Sequence, residues 1–226
     1  MTEPSTAHPQ AHRGRFITFE GGEGAGKSTQ VSRLVAALTA RGFEAIATRE
    51  PGGSPNAEAL RKVLLSGLVA PLGPAAEAMI FSAARIDHIE NTIAPALARG
   101  AFVVCDRFID STRAYQGSLG KLSDGFIDTL EGITIGALRP DLTIILDLPA
   151  ETGLARATKR RGLEQADRFE AEDIGFHRGL RDAFQKIAQK EPGRCVLIDA
   201  SRDEATIAAD ILQHVEKRLL DTGLAP

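Results

Sequence analysis

The residues best suited to chemistry form one stretch, Gly21-Gly22-Glu23-Gly24-Ala25-Gly26-Lys27-Ser28. It fills every fixed position of the pattern G-x-x-x-x-G-K-[ST], between an apolar run and an amphipathic pattern. Glycines let backbone N–H groups turn inward around an anion, and the helix that follows points more N–H groups at the same place. Lys27 offers a cation to the β- and γ-phosphates, and the Ser28 hydroxyl can ligate Mg²⁺. The stretch predicts a nucleoside triphosphate site; the alternative is a glycine-rich turn with an incidental lysine.

A pair of oppositely charged residues, Asp106-Arg107, ends an apolar run downstream of this loop. An apolar strand that ends in aspartate is the usual partner of a phosphate-binding loop, because the carboxylate holds Mg²⁺ directly or through water. The guanidinium of Arg107 would then lie at the mouth of the site, where it could clamp an incoming phosphate with two hydrogen bonds. A surface ion pair is the alternative reading of Arg107.

Five short apolar runs must position these residues, and none alternates strictly between polar and apolar side chains. Such runs are typical of central strands of a parallel sheet that is buried on both faces. The runs are Arg15–Glu20, Phe43–Arg49, Ala101–Asp106, Leu142–Leu148 and Cys195–Asp199. Helical patterns separate them, so the chain is predicted to be an α/β protein with a doubly wound, five-stranded parallel sheet and helices on both faces.

Charged residues end several of these runs, at the sheet edge where such folds bind ligands. Glu20 and Arg49 could therefore serve chemistry, whereas Asp147 and Asp199 are interpreted as marking the end of burial. The helical patterns include a first helix from about Lys27 to Ala40 and a long stretch from Pro74 to about Arg99. Residues 111–137 are predicted to be largely helical, with a break at Gly117–Lys121.

The overall composition is that of an ordinary soluble domain. The 226 residues are 43% hydrophobic and 25% charged with a net charge of −3, so nothing global indicates nucleic acid or a membrane as a partner. Cys105 and Cys195 lie in apolar runs and are predicted to be buried free thiols, as in a reducing cytoplasm. Residues 1–14 lack the apolar core of a signal peptide and are expected to be a disordered tail, which leaves 15–226 as one domain.

Several motifs together resemble thymidylate kinases of the bacterial type. They are Phe-Glu-Gly-Gly-Glu-Gly-Ala-Gly-Lys-Ser-Thr, Thr-Arg-Glu-Pro-Gly-Gly, Asp-Arg-Phe with Ala-Tyr-Gln-Gly after it, and Arg-Pro-Asp-Leu-Thr. The resemblance is collinear over about residues 15–220. It implies a P-loop nucleoside monophosphate kinase fold with a lid, ATP-dependent and Mg²⁺-dependent phosphorylation of dTMP to dTDP, a homodimer, and a cytoplasmic role in dTTP supply.

The resemblance also assigns residues to the two substrates. Phe81 matches the aromatic that stacks on thymine, although a core aromatic is the alternative, and Arg85 on the same helix face matches the arginine that binds the base. Tyr115 matches the residue that disfavours a 2′-hydroxyl, and a packing tyrosine is its alternative. The implied ATP site is Gly21, Gly22, Glu23, Gly24, Ala25, Gly26, Lys27, Ser28 and Thr29; the dTMP site is Glu23, Arg49, Pro51, Phe81, Arg85, Arg107, Ser111, Thr112, Tyr115 and Gln116; the metal ligands are Ser28 and Asp106.

A basic run matches the family's lid, placed at about residues 156–170. Some family members carry an arginine inside the P-loop, whereas this chain has Gly24 and Ala25 there. Phosphoryl transfer relies on positioning and on cations, so the missing charge is expected to come from the lid. Arg160 and Arg161 are the two candidates, and the sequence does not decide between them. Arg168 is a further candidate for a conformational role or a phosphate contact.

Two other functions fit parts of this pattern. Another nucleoside monophosphate kinase would share the sheet, loop and lid, and a substrate panel would separate it from a thymidylate kinase. A nucleotide-binding switch or regulatory ATPase would have the P-loop but would not need an acceptor clamp and a basic lid. Formation of ADP without dTDP would favour that second class.

Overall fold

A five-stranded parallel sheet with the strand order β2-β3-β1-β4-β5 forms the centre of the computed structural model. The structure describes residues 13–162 and 166–220, so most of the predicted tail and residues 163–165 of the predicted lid lie outside the described part. The strands are β1 (Arg15–Gly21), β2 (Ala45–Arg49), β3 (Phe102–Asp106), β4 (Leu142–Asp147) and β5 (Cys195–Asp199). The predicted α/β class and the parallel sheet are therefore confirmed.

Helices connect the strands and cover the sheet. They are α1 (Lys27–Ala40), α2 (Pro55–Leu65), α3 (Pro74–His88), α4 (Ala94–Ala98), α5 (Ile109–Thr112), α6 (Asp124–Ile135), α7 (Ala150–Arg161), α8 (Ile174–Lys190) and α9 (Glu204–Val215). Short π-helical segments occupy Ile89–Ile93, Arg113–Leu119 and Glu216–Leu220, and a 3₁₀ turn occupies Ala70–Leu72. Within the described residues, no helix is both long and apolar enough to cross a membrane.

Alternate side chains of the central strands pack on opposite sides of the sheet, as strand geometry requires. Ile17 and Phe19 of β1 join a cluster with Leu34 of α1 and Ile211 of α9, whereas Phe16 joins a cluster with Ile93 on the other side. Helix α8 covers β4 on that second side. The sheet is buried on both faces at its centre, which confirms the doubly wound arrangement.

The prediction that all five strands are central is wrong for β2 and β5. These strands lie at the two edges of the sheet, and each has hydrogen bonds to a neighbour on one side only. Leu197 of β5 is 44% exposed, and Ala47 of β2 is exposed. Short apolar runs do not distinguish edge from central strands, because an edge strand still packs one face on a helix.

The long helical stretch predicted from Pro74 to Arg99 is interrupted. Helix α3 ends at His88, a π-helical turn follows, and α4 completes the stretch. In the second helical region the break falls later than predicted, between the π-helical segment that ends at Leu119 and the start of α6 at Asp124. Side-chain periodicity does not detect a π turn, because so short a segment is too brief to show a period of its own.

Candidate active site

The P-loop joins β1 to α1, and its glycines adopt backbone angles that other residues resist. Gly24 and Gly26 have φ angles of 66° and 92°. A Cβ atom on Gly24 would clash with the carbonyl group of Gly153 in α7, so the loop and the first half of that helix are in direct contact. An arginine cannot occupy position 24 while α7 stays in place. The close packing of α7 against the loop therefore explains why position 24 holds a glycine and not an arginine.

Lys27 begins α1 and folds back over the loop. Its Nζ donates to the carbonyl oxygens of Gly22 and Gly21, at 2.9 and 3.2 Å. Burial and the charge of Arg107 lower the pKa of Lys27, although Glu23 and Asp106 act in the opposite direction. The ammonium group therefore lies at the centre of the loop, where phosphate oxygens would replace weak carbonyl partners.

The two predicted metal ligands are adjacent. The Ser28 hydroxyl donates to Oδ2 of Asp106 at 2.6 Å, and Asp106 ends β3 beside the P-loop. Among the described residues there is no group of three or more histidine, cysteine or acidic side chains that could hold a metal. Magnesium that bridges nucleotide phosphates needs only one or two protein oxygens, so this hydroxyl–carboxylate pair suits it.

Arg107 contacts both the P-loop and helix α5. Its Nη2 donates to Oε1 of Glu23 at 2.7 Å, and its Nη1 donates to the Gly21 carbonyl at 3.1 Å and to Ser111 Oγ at 3.3 Å. The guanidinium carbon lies 5.3 Å from the ring centroid of Tyr115, whose hydroxyl donates to Glu23 at 3.4 Å. The surface ion pair considered for Arg107 is excluded, because its side chain is only 15% exposed.

The electrostatics of this group favour a fixed ion pair. Burial by itself would raise the pKa of Glu23, but the charges of Arg107 and Lys27, with Arg160 further away, lower it to about 2. Burial opposes the charged form of Arg107, yet Tyr115 and Glu23 raise its pKa. Burial also raises the pKa of the Tyr115 hydroxyl. Glu23 is therefore an anion and Arg107 a cation throughout the physiological range.

Glu20 has a role that its position at a strand end does not reveal. Its buried carboxylate accepts hydrogen bonds from the backbone N–H groups of Phe108 and Ser111 and from the Ser111 hydroxyl, at 2.8, 3.2 and 2.7 Å. These bonds fix the turn in which Arg107 adopts a φ of 69°. Burial, and then the charge of Asp110, raises the pKa of Glu20 to about 7.

A cleft of about 430 Å³ runs from the P-loop to an aromatic pocket. It brings together every predicted dTMP-binding residue and both predicted metal ligands. Its lining includes Glu23, Gly24, Gly26, Lys27, Ser28, Thr29, Arg49, Pro51, Phe81, Arg85, Asp106, Arg107, Ser111, Thr112, Tyr115, Gln116 and Arg160. Gly21, Gly22, Ala25 and Arg161 are not part of the lining. The two glycines contribute carbonyl oxygens to Lys27 and Arg107 instead.

Arg85 lines the cleft although its side chain is almost fully buried. Only 2% of its surface is exposed. Its Nε forms a 2.6 Å ion pair with Glu50, and its Nη1 and Nη2 donate to Thr112 Oγ1 and the Phe108 carbonyl. The buried charge is tolerated because Glu50 neutralises it.

The lid arginines share one carboxylate. Arg161 Nη1 lies 2.6 Å from Oε2 of Glu170, and Arg160 Nη2 lies 3.4 Å from Oε1 of the same residue. Arg160 lines the cleft, whereas Arg161 does not. Arg156, from the same basic run, donates to the Ala200 carbonyl at 3.1 Å.

Phe169 is the main residue that sequence reasoning missed. It packs 6.0 Å from Phe81 and edge-on to Tyr115 at 5.4 Å, so three aromatic rings enclose the acceptor end of the cleft. Arg168 does not line the cleft; it pairs with Glu77 of α3 at 3.0 Å and lies over the Phe169 ring. Asp167, Glu170 and Arg61 also line the cleft without having been predicted. The signal in the sequence was an aromatic residue, Phe169, between charged residues of the predicted lid.

Known proteins that are similar to this chain are thymidylate kinases. The family model described as thymidylate kinase matches residues 19–211. A thymidylate kinase from Bradyrhizobium diazoefficiens is 56% identical over 96% of both chains, and one from Rhodopseudomonas palustris is 58% identical over 94% of this chain and 93% of its own. The crystal structure of thymidylate kinase from Ehrlichia chaffeensis superimposes with a TM-score of 0.71 at 32% identity, covering 89% of this chain and 98% of that one.

Proposed function

Because the chain belongs to the thymidylate kinase family and transfers the γ-phosphoryl group of ATP to dTMP, we propose that the cleft beside the P-loop holds both nucleotides. The observation that carries this proposal is the position of Arg107, which contacts Gly21 and Glu23 of the P-loop and also Ser111. One guanidinium is thus shared by the donor and acceptor halves. The products are dTDP and ADP.

The donor half is the P-loop. Its backbone N–H groups and the start of α1 hold the ATP phosphates, and Lys27 exchanges its two carbonyl partners for β- and γ-phosphate oxygens. Ser28 and Asp106 would hold Mg²⁺, whose oxygen preference suits a hydroxyl and a carboxylate. The ion, when bound, neutralises negative charge on the β- and γ-phosphates.

The acceptor half is the aromatic pocket. Thymine stacks on Phe81 and accepts hydrogen bonds from Arg85, while Tyr115 packs under the sugar and disfavours a 2′-hydroxyl. Support comes from the enclosure of the pocket by Phe169 and from the hydrogen bond between Tyr115 and Glu23. The remaining acceptor contacts are Arg49, Pro51, Ser111, Thr112 and Gln116.

The reaction needs positioned cations more than proton transfer. The acceptor phosphate is already ionised near neutral pH, so an oxygen anion can attack without a general base. Arg107 aligns that oxygen for in-line attack, and a lid arginine stabilises the charge that spreads over the transferring group. Arg160 is the better candidate because it lines the cleft, whereas Arg161 does not and forms the shorter of the two ion pairs with Glu170.

The substitution R107A tests this arrangement. It should lower kcat/KM for dTMP by about 10³-fold, because the acceptor phosphate loses its clamp and Glu23 is left without its partner. The matched control is R33A, since Arg33 is an exposed arginine paired with Glu204 outside the cleft. A coupled ADP assay with dTMP, dCMP, AMP and GMP at fixed ATP measures both variants. Unchanged dTMP kinetics in R107A would overturn the assignment.

The same proposal includes a homodimer in the cytoplasm. Among the described residues, the four most exposed large hydrophobic side chains are Leu68, Leu72, Met79 and Ile133. They lie on or next to α2, α3 and α6, and α3 packs against both other helices. Large apolar side chains exposed on neighbouring helices suit a protein interface. Cys105 and Cys195 are buried free thiols, as expected in a reducing compartment.

A further inference from the structure

A chain of buried polar side chains leads from the end of β2 to the acceptor pocket. The ring of His88 lies between Thr48 and Glu50: its Nε2 is 2.6 Å from Thr48 Oγ1, and its Nδ1 is 3.1 Å from Oε1 of Glu50. The other carboxylate oxygen of Glu50 accepts the 2.6 Å bond from Nε of Arg85. His88, Glu50 and Arg85 are 0%, 6% and 2% exposed.

The partners determine the direction of these hydrogen bonds. An ionised carboxylate only accepts, so Nδ1 of His88 carries the proton that faces Glu50. In the neutral ring Nε2 is then the acceptor, and the Thr48 hydroxyl donates to it. Each carboxylate oxygen of Glu50 thus receives one fixed donor. The carboxylate cannot turn without breaking one of these bonds.

Arg85 lines the cleft and has two donors that its hydrogen bonds to the protein do not use. A guanidinium has five N–H groups, and Arg85 uses one each from Nε, Nη1 and Nη2 for Glu50, Thr112 and the Phe108 carbonyl. One N–H on each Nη therefore remains available, and Arg85 lines the cleft. The plane of the guanidinium, which Glu50 helps to fix, sets where these two donors point.

Gly53 seals the far end of this chain. A Cβ atom at this position would clash with Nε2 of His88 and lie 2.6 Å from Thr48 Oγ1, and the glycine has a φ of 86°. Thr92 Oγ1 donates to the Gly53 carbonyl at 2.8 Å and holds the loop in place. The Gly53 backbone therefore packs directly against the His88 ring, which is 0% exposed, so that water does not compete for its two hydrogen bonds.

We propose that His88 is a positioning residue for acceptor-base selection: through Glu50 it holds the free donors of Arg85 toward a pyrimidine carbonyl oxygen and against an exocyclic amino group. This inference rests on the proposed function, in which Arg85 binds the base. Thymine presents a carbonyl oxygen where cytosine presents an amino group. A correctly directed pair of N–H donors therefore favours dTMP over dCMP, and a misdirected pair loses that preference.

The substitutions H88L and H88N separate this role from simple packing. Leucine removes the donor to Glu50, and the freed carboxylate oxygen can then draw Arg85 out of position. H88L should raise KM for dTMP about tenfold and lower the dTMP/dCMP ratio of kcat/KM about tenfold, with KM for ATP within about twofold. Asparagine retains an N–H near the place of Nδ1, so H88N should recover most of the selectivity.

The substitution T48V provides a second test. It removes the hydroxyl that donates to Nε2 but leaves the bond between His88 and Glu50, so the dTMP/dCMP ratio should fall by about two- to threefold. This variant carries the test if H88L does not fold, and an unchanged ratio in T48V would then overturn the proposal. Equal increases in KM for dTMP and ATP in H88L, with selectivity unchanged, would show a structural role only and also overturn it.

The variant R85K distinguishes failure of this inference from failure of the proposed function. Lysine keeps a charge beside Glu50 but lacks the planar fork. If R85K leaves the dTMP/dCMP ratio unchanged, Arg85 does not read the base and the proposed acceptor contact is wrong. If R85K lowers the ratio while H88L does not, the acceptor contact stands and the role of His88 is overturned.

Discussion

The two lid arginines, Arg160 and Arg161, both pair with the carboxylate of Glu170. Substitution of each in turn shows which one supplies the catalytic cation. Arg160 lines the cleft with a side chain that is 66% exposed. The side chain of Arg161 is 20% exposed, and its Nη1 lies 2.6 Å from Oε2 of Glu170. We expect R160A to lower kcat about 10²-fold with a modest change in ATP binding, because the cation acts mainly in the transition state. R161A should cost less than tenfold. Steady-state kinetics with varied ATP measure both effects.

The control for the lid prediction is K159A. Lys159 precedes Arg160 on α7, is exposed, and does not line the cleft, so its removal changes the same net charge without touching the site. Near-normal turnover is expected for this variant. A larger loss in R161A than in R160A would reverse the assignment. Normal turnover in a double variant that carries both R160A and R161A would place the catalytic cation elsewhere.

Glu20 gives a prediction about stability and pH. Its pKa of about 7 lies above the 4.5 of an unperturbed glutamate, so between these values the folded protein binds more protons than the unfolded chain. The free energy of unfolding therefore falls as the pH rises through this window. E20Q cannot ionise, and it should lose less stability between pH 5 and pH 8 than the parent, by on the order of 1–3 kcal/mol.

Urea unfolding at both pH values and at equal protein concentration checks the Glu20 prediction. E90Q serves as the control, since Glu90 is an exposed glutamate, and its pH dependence should match that of the parent. If E20Q and the parent lose the same free energy between pH 5 and pH 8, the carboxyl of Glu20 does not titrate in that window.

The sequence predicted residue types at the site better than their partners. Lys27, Ser28, Asp106 and Arg107 follow from local motifs, because strand, loop and helix place them without help from distant residues. The pairing of Arg85 with Glu50 depends on how α3 packs beside β2, which no local pattern encodes. The position of Phe169 likewise depends on where the lid segment meets the acceptor pocket.

At the scale of elements, the P-loop and the lid helix α7 are coupled by two glycines. A Cβ atom on Gly153 would clash with the Glu23 carbonyl, just as one on Gly24 would clash with Gly153. We expect G153A to push α7 away from the P-loop. Since α7 carries Arg160, kcat should fall by about tenfold or more, because small misplacements of catalytic groups are costly.

The matched control for this prediction is G125A. Gly125 is also a helical glycine, but a Cβ atom there would meet nothing within 4 Å. Alanine is the better helix former, so G125A should leave kinetics unchanged and raise the melting temperature slightly. Wild-type kcat in G153A would show that the close approach of α7 to the P-loop does not position the lid.

The regular elements were largely predictable, and the irregular ones were not. Helix α1 and strand β5 have the predicted bounds, because a clear periodicity or a short apolar run sets their ends. The π-helical turns Ile89–Ile93 and Arg113–Leu119 were missed. Both follow residues that line or support the acceptor pocket, where tertiary contacts override the local periodicity.

At the scale of the whole molecule, the cleft is electrostatically balanced before any nucleotide binds. Several cations that line it already have a carboxylate partner: Arg49 has Glu58, Arg85 has Glu50, Arg107 has Glu23 and Arg160 has Glu170. Each pairing fixes the direction of its guanidinium group, and for the largely buried side chains of Arg85 and Arg107 it also offsets the cost of burying a charge. The cleft thus presents directed guanidinium groups to two phosphate-rich ligands in a protein with a net charge of −3.

The apolar surface on α3 and α6 makes the oligomeric state testable. Met79 and Ile133 are 54% and 72% exposed, and replacing both with lysine should place charges in the proposed interface and convert the proposed dimer to a monomer. Light scattering coupled to size exclusion measures the mass. L197K is the control, because Leu197 is an exposed apolar residue on the edge strand β5, and it should remain dimeric. Arg107, Arg85 and Lys27 are each positioned by hydrogen bonds within their own chain, so the monomer should keep activity within about tenfold. A parent protein that is monomeric, or a double variant that stays dimeric, would contradict this assignment of the interface.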